Sequence, residues 1–576
     1  MKFRFVLIGL FTFVIARSQN LLWHHKIGNE QYESVSDITL DGSENVIITG
    51  NFDHSLDFNP SPSGVFSLTP NGFSDVYVCK FNSNGQFLWA KSIGDQFNDL
   101  ARSVTTDASG NIYVTGIFDG TVDFDPGPST FTLSSTGPGN GFVLKLDPQG
   151  NFLWARAFTS TAQNEGTRLA CDASGNVWIT GYFSGTANFN SGGTSAQNLT
   201  AKGATDAFLV GFDASGSFLF ARNFGNASSN AFGKSVCTHP NGNASLLIEF
   251  TNQCDADPSN AVIIHTSQGY SDLLVVTLTS SGNYMSSFSF GGLYHEFGFE
   301  IKTNSNGDIF VGGSFYSYQI DFDPGPANAN FTNKGGLDGF VAKYTPNGQY
   351  LQAWQFGGTG DDEANGVKID NNGNIIIHGW FENVMDANPG TAIQNVTSIG
   401  AHDAFVVALN AGGNYIKSFT YGGAYFCDNS YCGTSDDMIF MATNGNGMLY
   451  CTSASSGTNV TFFPNTPWQV VTASTGAYDV FNFKINFNLT TSFLEEPAGT
   501  NEIKAYPNPC SQNINISHVH ECSSVEILDM TGKKILGIVP SYKNYLTLDV
   551  HNLNSGIYFI RVRFEEKEKV IKFVKD

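Results

Sequence analysis

The chain has 576 residues, a formal net charge of −22, 50 Phe and 62 Gly, and only 14% charged residues. So much Phe and Gly with so little charge argues against a helical bundle and for an all-β protein rich in turns. Residues 19–502 hold 16 Lys and Arg against 43 acidic residues, a surface that repels phosphate and disfavours charge-driven nucleic-acid binding.

Residues 1–18 read as a signal peptide. Lys2 and Arg4 precede an apolar run from Phe5 to Ala16, too short to span a bilayer, and Ala16-Arg-Ser18 offers small residues for cleavage. The mature chain is expected to be exported and to hold no membrane span. Nine Cys are present. Cys427 with Cys432, and Cys510 with Cys522, are close enough in sequence to pair, whereas Cys79 reads as a small core residue.

Residues 19–490 are organised by a repeat. Asp75–Gly94 reads as a β-hairpin around an Asn84-Gly85 turn, and equivalent glycines stand at Gly150, Gly216, Gly282, Gly348 and Gly413, 65 or 66 residues apart. A second hairpin recurs at the same period, best seen in Ser103–Phe118. Each period therefore predicts four strands, lettered here a (Ser103–Asp107 type), b (Asn111–Phe118 type), c (Asp75–Phe81 type) and d (Phe87–Ile93 type). The first expected strand, Leu21–Ile27, is of type d. The last in the array, Asp479–Phe487, is of type c and has no d strand after it. Pairing of these two ends closes a ring, and radial closure limits open edges to short outer ones. The fold expected is a seven-bladed β-propeller with strand a innermost. The repeats resemble the bacterial seven-bladed β-propeller repeat family, through Asp107-Ala-Ser-Gly-Asn-Ile-Tyr-Val-Thr-Gly116 and Asp172–Gly181.

Residues 491–502 read as a linker. In residues 503–576, Ile514/Ile516, Val525/Ile527, Leu546/Leu548/Val550 and Tyr558/Ile560/Val562 alternate with polar residues, as short strands of a small Ig-like β-sandwich do. This stretch resembles the type A sorting domain of the Bacteroidetes type IX secretion system. The resemblance rests on Tyr506-Pro507-Asn508-Pro509, on Val525–Lys533 with Asp529, Gly532 and Lys533, on Leu553–Tyr558 with Gly556, and on Ile571–Lys575 with Lys572 and Lys575. It implies recognition by the type IX secretion machinery at the outer membrane and delivery to the cell surface or the medium.

The b-to-c connections carry an Asx-x-Asx pattern, clearest in Asp123-Phe-Asp125 and Asp321-Phe-Asp323. These aspartates are calcium candidates, although each loop offers only two side-chain ligands where calcium takes six to eight oxygens. The competing reading is an Asx turn with Phe packed inward. The recurrent Asp at the start of strand c reads as a turn contact, and Asp361-Asp-Glu363 as a solvated loop. No catalytic constellation stands out. The expected activity is binding of a glycan, a protein or a surface through loops at one face of the ring. The alternative is an enzyme on extracellular polysaccharide, which requires unlike polar residues from several blades to converge on the channel.

Overall fold

The computed structural model describes residues 21–28, 33–62, 64–423, 439–455, 459–462, 470–473 and 479–487, and, beyond them, 505–506, 513–517, 523–529, 533–538, 545–554, 556–563 and 568–575. The expected signal peptide, linker and two cysteine pairs lie outside the described residues, as do Pro507, Asn508, Pro509 and Gly532. The chain divides into two compact units, residues 1–490 and 491–576.

In the first unit the described strands pair antiparallel in seven four-stranded groups, each ordered a-b-c-d. Six groups are continuous in sequence. In the seventh, Ile439–Thr443, Met448–Ser455 and Asp479–Asn486 serve as a, b and c, and Leu21–Ile27 is the d strand. The two ends of the array therefore share one blade, and the described part of the first unit is a closed β-propeller. The core follows the same closure: Ile27, Phe440, Tyr450 and Val480 pack in one buried cluster with Val46, Tyr77 and Phe81 of the first blade.

The repeat motif folds the way its residues dictate. Asp107 Oδ1 accepts hydrogen bonds from Ser109 N (3.0 Å) and Asn111 N (3.0 Å), and Asn111 Nδ2 donates to Asp107 Oδ2 (2.8 Å). Gly110 takes φ 78° in that turn, a conformation that costs glycine least. Blades are latched by the tryptophan of strand d, whose indole N–H donates to a carbonyl in the next blade's c–d turn. Trp89 reaches Pro148 O (3.3 Å), Trp154 reaches Ala214 O (3.3 Å) and Trp354 reaches Gly413 O (3.0 Å). Trp23, from the N-terminal strand, makes the same latch to Ser83 O (3.1 Å).

The b-to-c connections hold more structure than the repeat pattern alone suggests. They form short hairpins, such as Thr121–Asp123 with Thr132–Ser134. Several of these hairpins pair with the d strand of the preceding blade: Thr186–Ser191 with Phe152–Ser160, and Gln319–Asp321 with Tyr284–Gly292. The ring thus has two unlike rims. One, the turn rim, carries the a–b and c–d turns. The other carries the b–c hairpins and the d-to-a connections.

The second unit contains two described sheets. One joins Ala505–Tyr506, Asn513–Ser517 and Tyr545–Asp549, and the other joins Lys534–Ile538, Ser524–Leu528, Gly556–Arg563 and Glu568–Lys575. Ile514, Ile516, Leu548 and Val550 from the first form one buried cluster with Val525, Ile527, Ile560 and Val562. The alternation of apolar residues in the sequence supplies both inner faces.

Candidate functional site

Strand a lines the channel. Its pairing with strand b slips by one residue at Val35/Asp37, Ala101/Ser103, Gly166/Arg168, Gly233/Ser235 and Gly298/Glu300. Such a bulge leaves one residue out of the ladder and re-aims the side chains beside it. After two of these slips a carboxylate reaches the next blade. Asp37 Oδ2 accepts from Ser103 Oγ (2.7 Å) and Val104 N (3.0 Å), and Glu300 Oε2 accepts from Val367 N (2.8 Å).

These strands enclose a cavity of about 340 Å³ to which all seven a strands contribute. Glu300 sits at its charged centre. Lys368 Nζ donates to Glu300 Oε1, and Lys302 Nζ lies 3.1 Å from the same oxygen. Burial alone would raise this carboxyl, but Lys368, Lys302 and His378 hold it well below the usual range. Burial in turn lowers the Lys368 ammonium in spite of Glu300. His378 stands where Thr49, Thr115 and Thr180 stand in other blades, and Gly366 leaves it room: a side chain there would run into His378 and Glu300. Across the channel, the Arg168 guanidinium lies 6.0 Å from the Phe440 ring.

A second group of side chains surrounds the channel on the rim of the b–c hairpins, here the mouth. Arg102 pairs with Glu165, and Tyr182 Oη donates to Glu165 Oε2 (2.8 Å). Lys234 Nζ lies 3.3 Å from Glu249 Oε2. Trp380 Nε1 and Asn365 Nδ2 donate to Glu363 Oε2 at 3.0 and 2.9 Å. Burial raises the Glu363 carboxyl; those two donors oppose the rise, as does the charge of Lys234 from two blades away. Aromatic rings flank the carboxylates, with Tyr182 edge-on to Phe232 (5.3 Å) and Trp380 against His402 (4.7 Å). Four blades, the second, third, fourth and sixth, supply these side chains.

The mouth was not expected in this form. Its residues lie on or beside strands a and b rather than in the loops assigned the binding role. Asp361-Asp-Glu363 is no solvated loop: Asp362 is fully buried, accepts Gly358 N (2.7 Å), and is raised by burial to about 7. The sequence signal was available in the residue that follows the recurrent glycine of strand b. It reads Asn51, Ile117, Tyr182, Ser314 and Trp380, and Glu249 holds the same place after Ile248 in the copy that lacks the glycine.

The calcium candidates sit apart, in two different blades. Asp123 Oδ1 accepts from Asp125 N (3.1 Å) and Phe131 N (2.8 Å), and Asp125 Oδ1 accepts from Gly127 N (2.8 Å). Asp321 and Asp323 repeat this pattern toward Asp323 N, Ala329 N and Gly325 N. Phe124 and Phe322 between them are buried. Among the described residues no group of three or more His, Cys, Asp or Glu is arranged to hold a metal. The recurrent Asp of strand c caps the turn four residues upstream, as Asp75 does for Asn71 N (3.0 Å) and Asp338 for Lys334 N (2.8 Å). Cys79 is a buried free thiol. In the second unit, Asp529 and Lys533 close one turn (Asp529 N to Lys533 O, 3.0 Å), Gly556 opens a strand, Lys572 is exposed and Lys575 is buried. Tyr506 ends the strand Ala505–Tyr506.

The chain is similar to an uncharacterized WD repeat-containing protein of Acanthamoeba polyphaga mimivirus, at 23% identity over 69% of this chain and 34% of that protein. It is also similar to the regulatory protein FlaEY of Caulobacter vibrioides, at 24% identity over 59% and 35%. The chain thus spans about a third of the length of each relative. Residues 504–576 match the secretion system C-terminal sorting domain. The chain is a β-propeller repeat protein with a secretion sorting domain. That domain indicates export of the propeller protein to the cell surface or its secretion. Among the described residues no helix is long and apolar enough to cross a membrane. Two solved structures align with the propeller protein at 9% identity. An ulvan lyase, a polysaccharide lyase, covers 83% of this chain and 98% of its own with TM-score 0.38. A protein of unknown function from Bacteroides thetaiotaomicron covers 79% and 98% with TM-score 0.26. Both likenesses are too loose to carry a functional argument.

Proposed function

We propose that this is an extracellular binding module, sent through the type IX secretion system and retained at the cell surface or released, whose ligand seats at the channel mouth. The observation behind this reading is the convergence of Arg102, Glu165, Tyr182, Lys234, Glu363 and Trp380 from several blades. The regular repeat does not need them: where the mouth has Tyr182 and Trp380, the first two blades have Asn51 and Ile117. Mixed charge with partly exposed rings suits a polar extracellular polymer. Sorting is assigned to residues 503–576, through Tyr506 to Pro509, Asp529, Gly532, Lys533, Gly556, Lys572 and Lys575. Calcium has no part in this reading, because the Asp123 and Asp321 carboxylates are engaged by backbone N–H groups.

The second reading is an enzyme acting on extracellular polysaccharide. It is favoured by Glu363, whose raised carboxyl suits a proton donor. Against it, each mouth carboxylate is already paired with side chains around it. A glycan array probed with the exported chain and with the charge-reversed R102E/K234E variant tests the binding reading. The expected result is an altered or lost set of bound glycans with an unchanged melting temperature. An unaltered set would overturn the mouth as the site. Depolymerisation of a bound glycan, abolished by E363Q, would replace the binding reading with the enzymatic one.

A further inference from the structure

The junction between the fourth and fifth blades carries a feature that the other described junctions lack. Three loops meet there, 267–271, 292–296 and 315–319. They are tied together by Tyr270 N to Tyr294 O (3.0 Å), Tyr316 N to His295 O (2.9 Å) and Tyr294 N to Ser317 Oγ (2.8 Å). Four tyrosines project from them into solvent: Tyr270 is 63% exposed, Tyr294 47%, Tyr316 54% and Tyr318 75%. Tyr270 stacks on His295 (5.1 Å, 16°), which stacks on Phe297 (5.9 Å, 15°) at the start of strand a, so the rings run outward from the mouth. His295 Nδ1 shares a hydrogen bond with Ser271 Oγ (3.0 Å), which fixes the middle ring.

The repeat serves as its own control. The bridge Ser271↔His295 has counterparts at Ser74↔Asn98 and Thr205↔Asn230. In that register Tyr270 and Tyr294 correspond to Ala204 and Ser229 at one junction and, by the start of strand c, to Gly336 and Gly360 at another. Only the first junction has rings there as well, Phe73 and Phe97, and it has Asp53 and His54 where Tyr316 and Tyr318 stand. The stretch from Phe315 to Asp321 is also one residue longer than Phe118 to Asp123. In the second, third, fourth and sixth blades this loop turns through a residue with positive φ, at Gly120, Gly185, Asn252 and Asn383. The extra residue replaces that turn and presents two rings at alternate positions. Exposed aromatic groups of this density on an otherwise regular surface mark an interaction site.

We propose that Tyr270, Tyr294, Tyr316 and Tyr318 form a platform that stacks the uncharged sugar rings of an extracellular glycan. A sugar ring has an apolar C–H face and a hydroxyl rim. Tyrosine matches both, with a flat apolar face and a polar tip, and the exposed amides of Gln268 and Gln319 flank the rings. The three loops contain no Lys or Arg, so an anionic sugar would meet no countercharge, and the strongly acidic composition of residues 19–502 repels it. The rings are held before any ligand arrives, which limits the entropy lost on binding. The platform deepens the binding reading above by naming a ligand class and a second contact region next to the mouth.

Affinity electrophoresis of the full chain through gels containing dextran, galactomannan or xyloglucan, with alginate as the anionic comparison, tests the platform. The parent chain is expected to be retarded by at least one neutral polymer and not by alginate. The Y270A and Y316S/Y318S variants are expected to bind that polymer roughly tenfold more weakly per lost ring contact, with unchanged melts because these side chains are exposed. The mouth variant R102E/K234E is run alongside. Loss in the tyrosine variants supports the platform whether or not the mouth variant also loses binding. Loss in the mouth variant alone overturns the platform and leaves the mouth reading standing. No retardation of the parent by any neutral polymer overturns the platform, as would a partner that proves to be a protein.

Discussion

Asp107 on the turn rim and Asp362 on the mouth rim are both buried carboxyls near the channel, yet they titrate in opposite directions. Burial pushes each upward. At Asp107 the push is outweighed by the side chain and backbone of Asn111 and by Lys145, and the carboxyl falls below its ordinary value. Asp41 behaves likewise with Asn45 and Lys80. At Asp362 burial wins over Gly358 N and Glu382 N, and the nearby Asp338 and Glu382 add to it, so the group rises to about 7. Asp99 and Glu296 also rise to about 7, and Asp272 to about 6. The supply of donors, not the residue type, decides the outcome. The turn rim is where the repeat is most regular and where the tryptophan latches join the blades. The mouth rim departs from the repeat, and both proposed contact regions lie there.

The largest effect expected from breaking the turn rim is loss of closure. Deleting residues 19–28 removes the d strand of the shared blade, the buried Leu21 and Ile27, and the Trp23 latch. It leaves Asp479–Asn486 as an open edge. A buried strand contributes several kcal/mol, so the melting temperature of a ring this large should fall by about 5 °C. A melt within a degree or two of the parent would mean the ring does not depend on its shared blade.

Next comes the opposed pH response of the rims. The raised carboxyls of Asp99, Glu296 and Asp362 keep their protons to about 7 in the folded chain. The unfolded chain releases them near 4. Their contribution to stability is therefore fully present below about pH 4 and is lost as pH rises through about 7. Asp41 and Asp107 act in the other direction: their contribution is present above the ordinary carboxyl value and is lost as the solution is acidified past it. Thermal melts from pH 3 to 9 should show a maximum near 4 and a decline that is complete just above 7. D362N should flatten that decline and leave the acid side unchanged. A curve that rises steadily to pH 8 would contradict the assignment of the mouth-rim acids.

A smaller loss is expected from D107A. Asp107 accepts from Ser109 N, Asn111 N, Asn111 Nδ2 and Tyr113 Oη, and its carboxylate lies 3.3 Å from Lys145 Nζ. Its removal should cost about 2–3 kcal/mol, read by chemical denaturation, because several buried donors lose their acceptor together. A cost below about 0.5 kcal/mol would show that backbone geometry alone sets the turn.

The turn rim was legible in the sequence because each of its features recurs. The Asp-x-x-Gly-Asn turn and the c–d turn glycine fixed the period, and the unmatched strands at the two ends led to the shared blade. The b–c hairpins were less legible, since Thr121–Asp123 and Gln319–Asp321 are too short to show an alternation. The mouth was missed for a physical reason. Glu165 and Glu363 sit on strands whose neighbours are core residues, and a single strand does not show that a bulge turns its side chains toward a channel. Only alignment of copies exposes such positions, as places where a constant repeat admits Tyr182, Glu249 and Trp380. The tyrosine platform has the same character: its signal is Tyr270 against Ala204 and Gly336, not any motif.

The smallest expected effect separates calcium from turn formation at Asp123. Asn188 occupies the equivalent place in the third blade and does the same work, with Oδ1 accepting from Asn190 N (3.1 Å) and Gln197 N (2.8 Å). An amide oxygen suffices there, so the carboxylate charge at Asp123 has no structural task of its own. D123N should therefore leave the melt within about 0.5 kcal/mol of the parent, the range of a surface substitution that keeps its hydrogen bonds. Millimolar calcium should move parent and variant equally. If calcium raised the parent's melting temperature and not that of D123N, the second charge in Asp123-Phe-Asp125 would be a ligand, and the distinction drawn between the b–c hairpins and the mouth would fail at that blade.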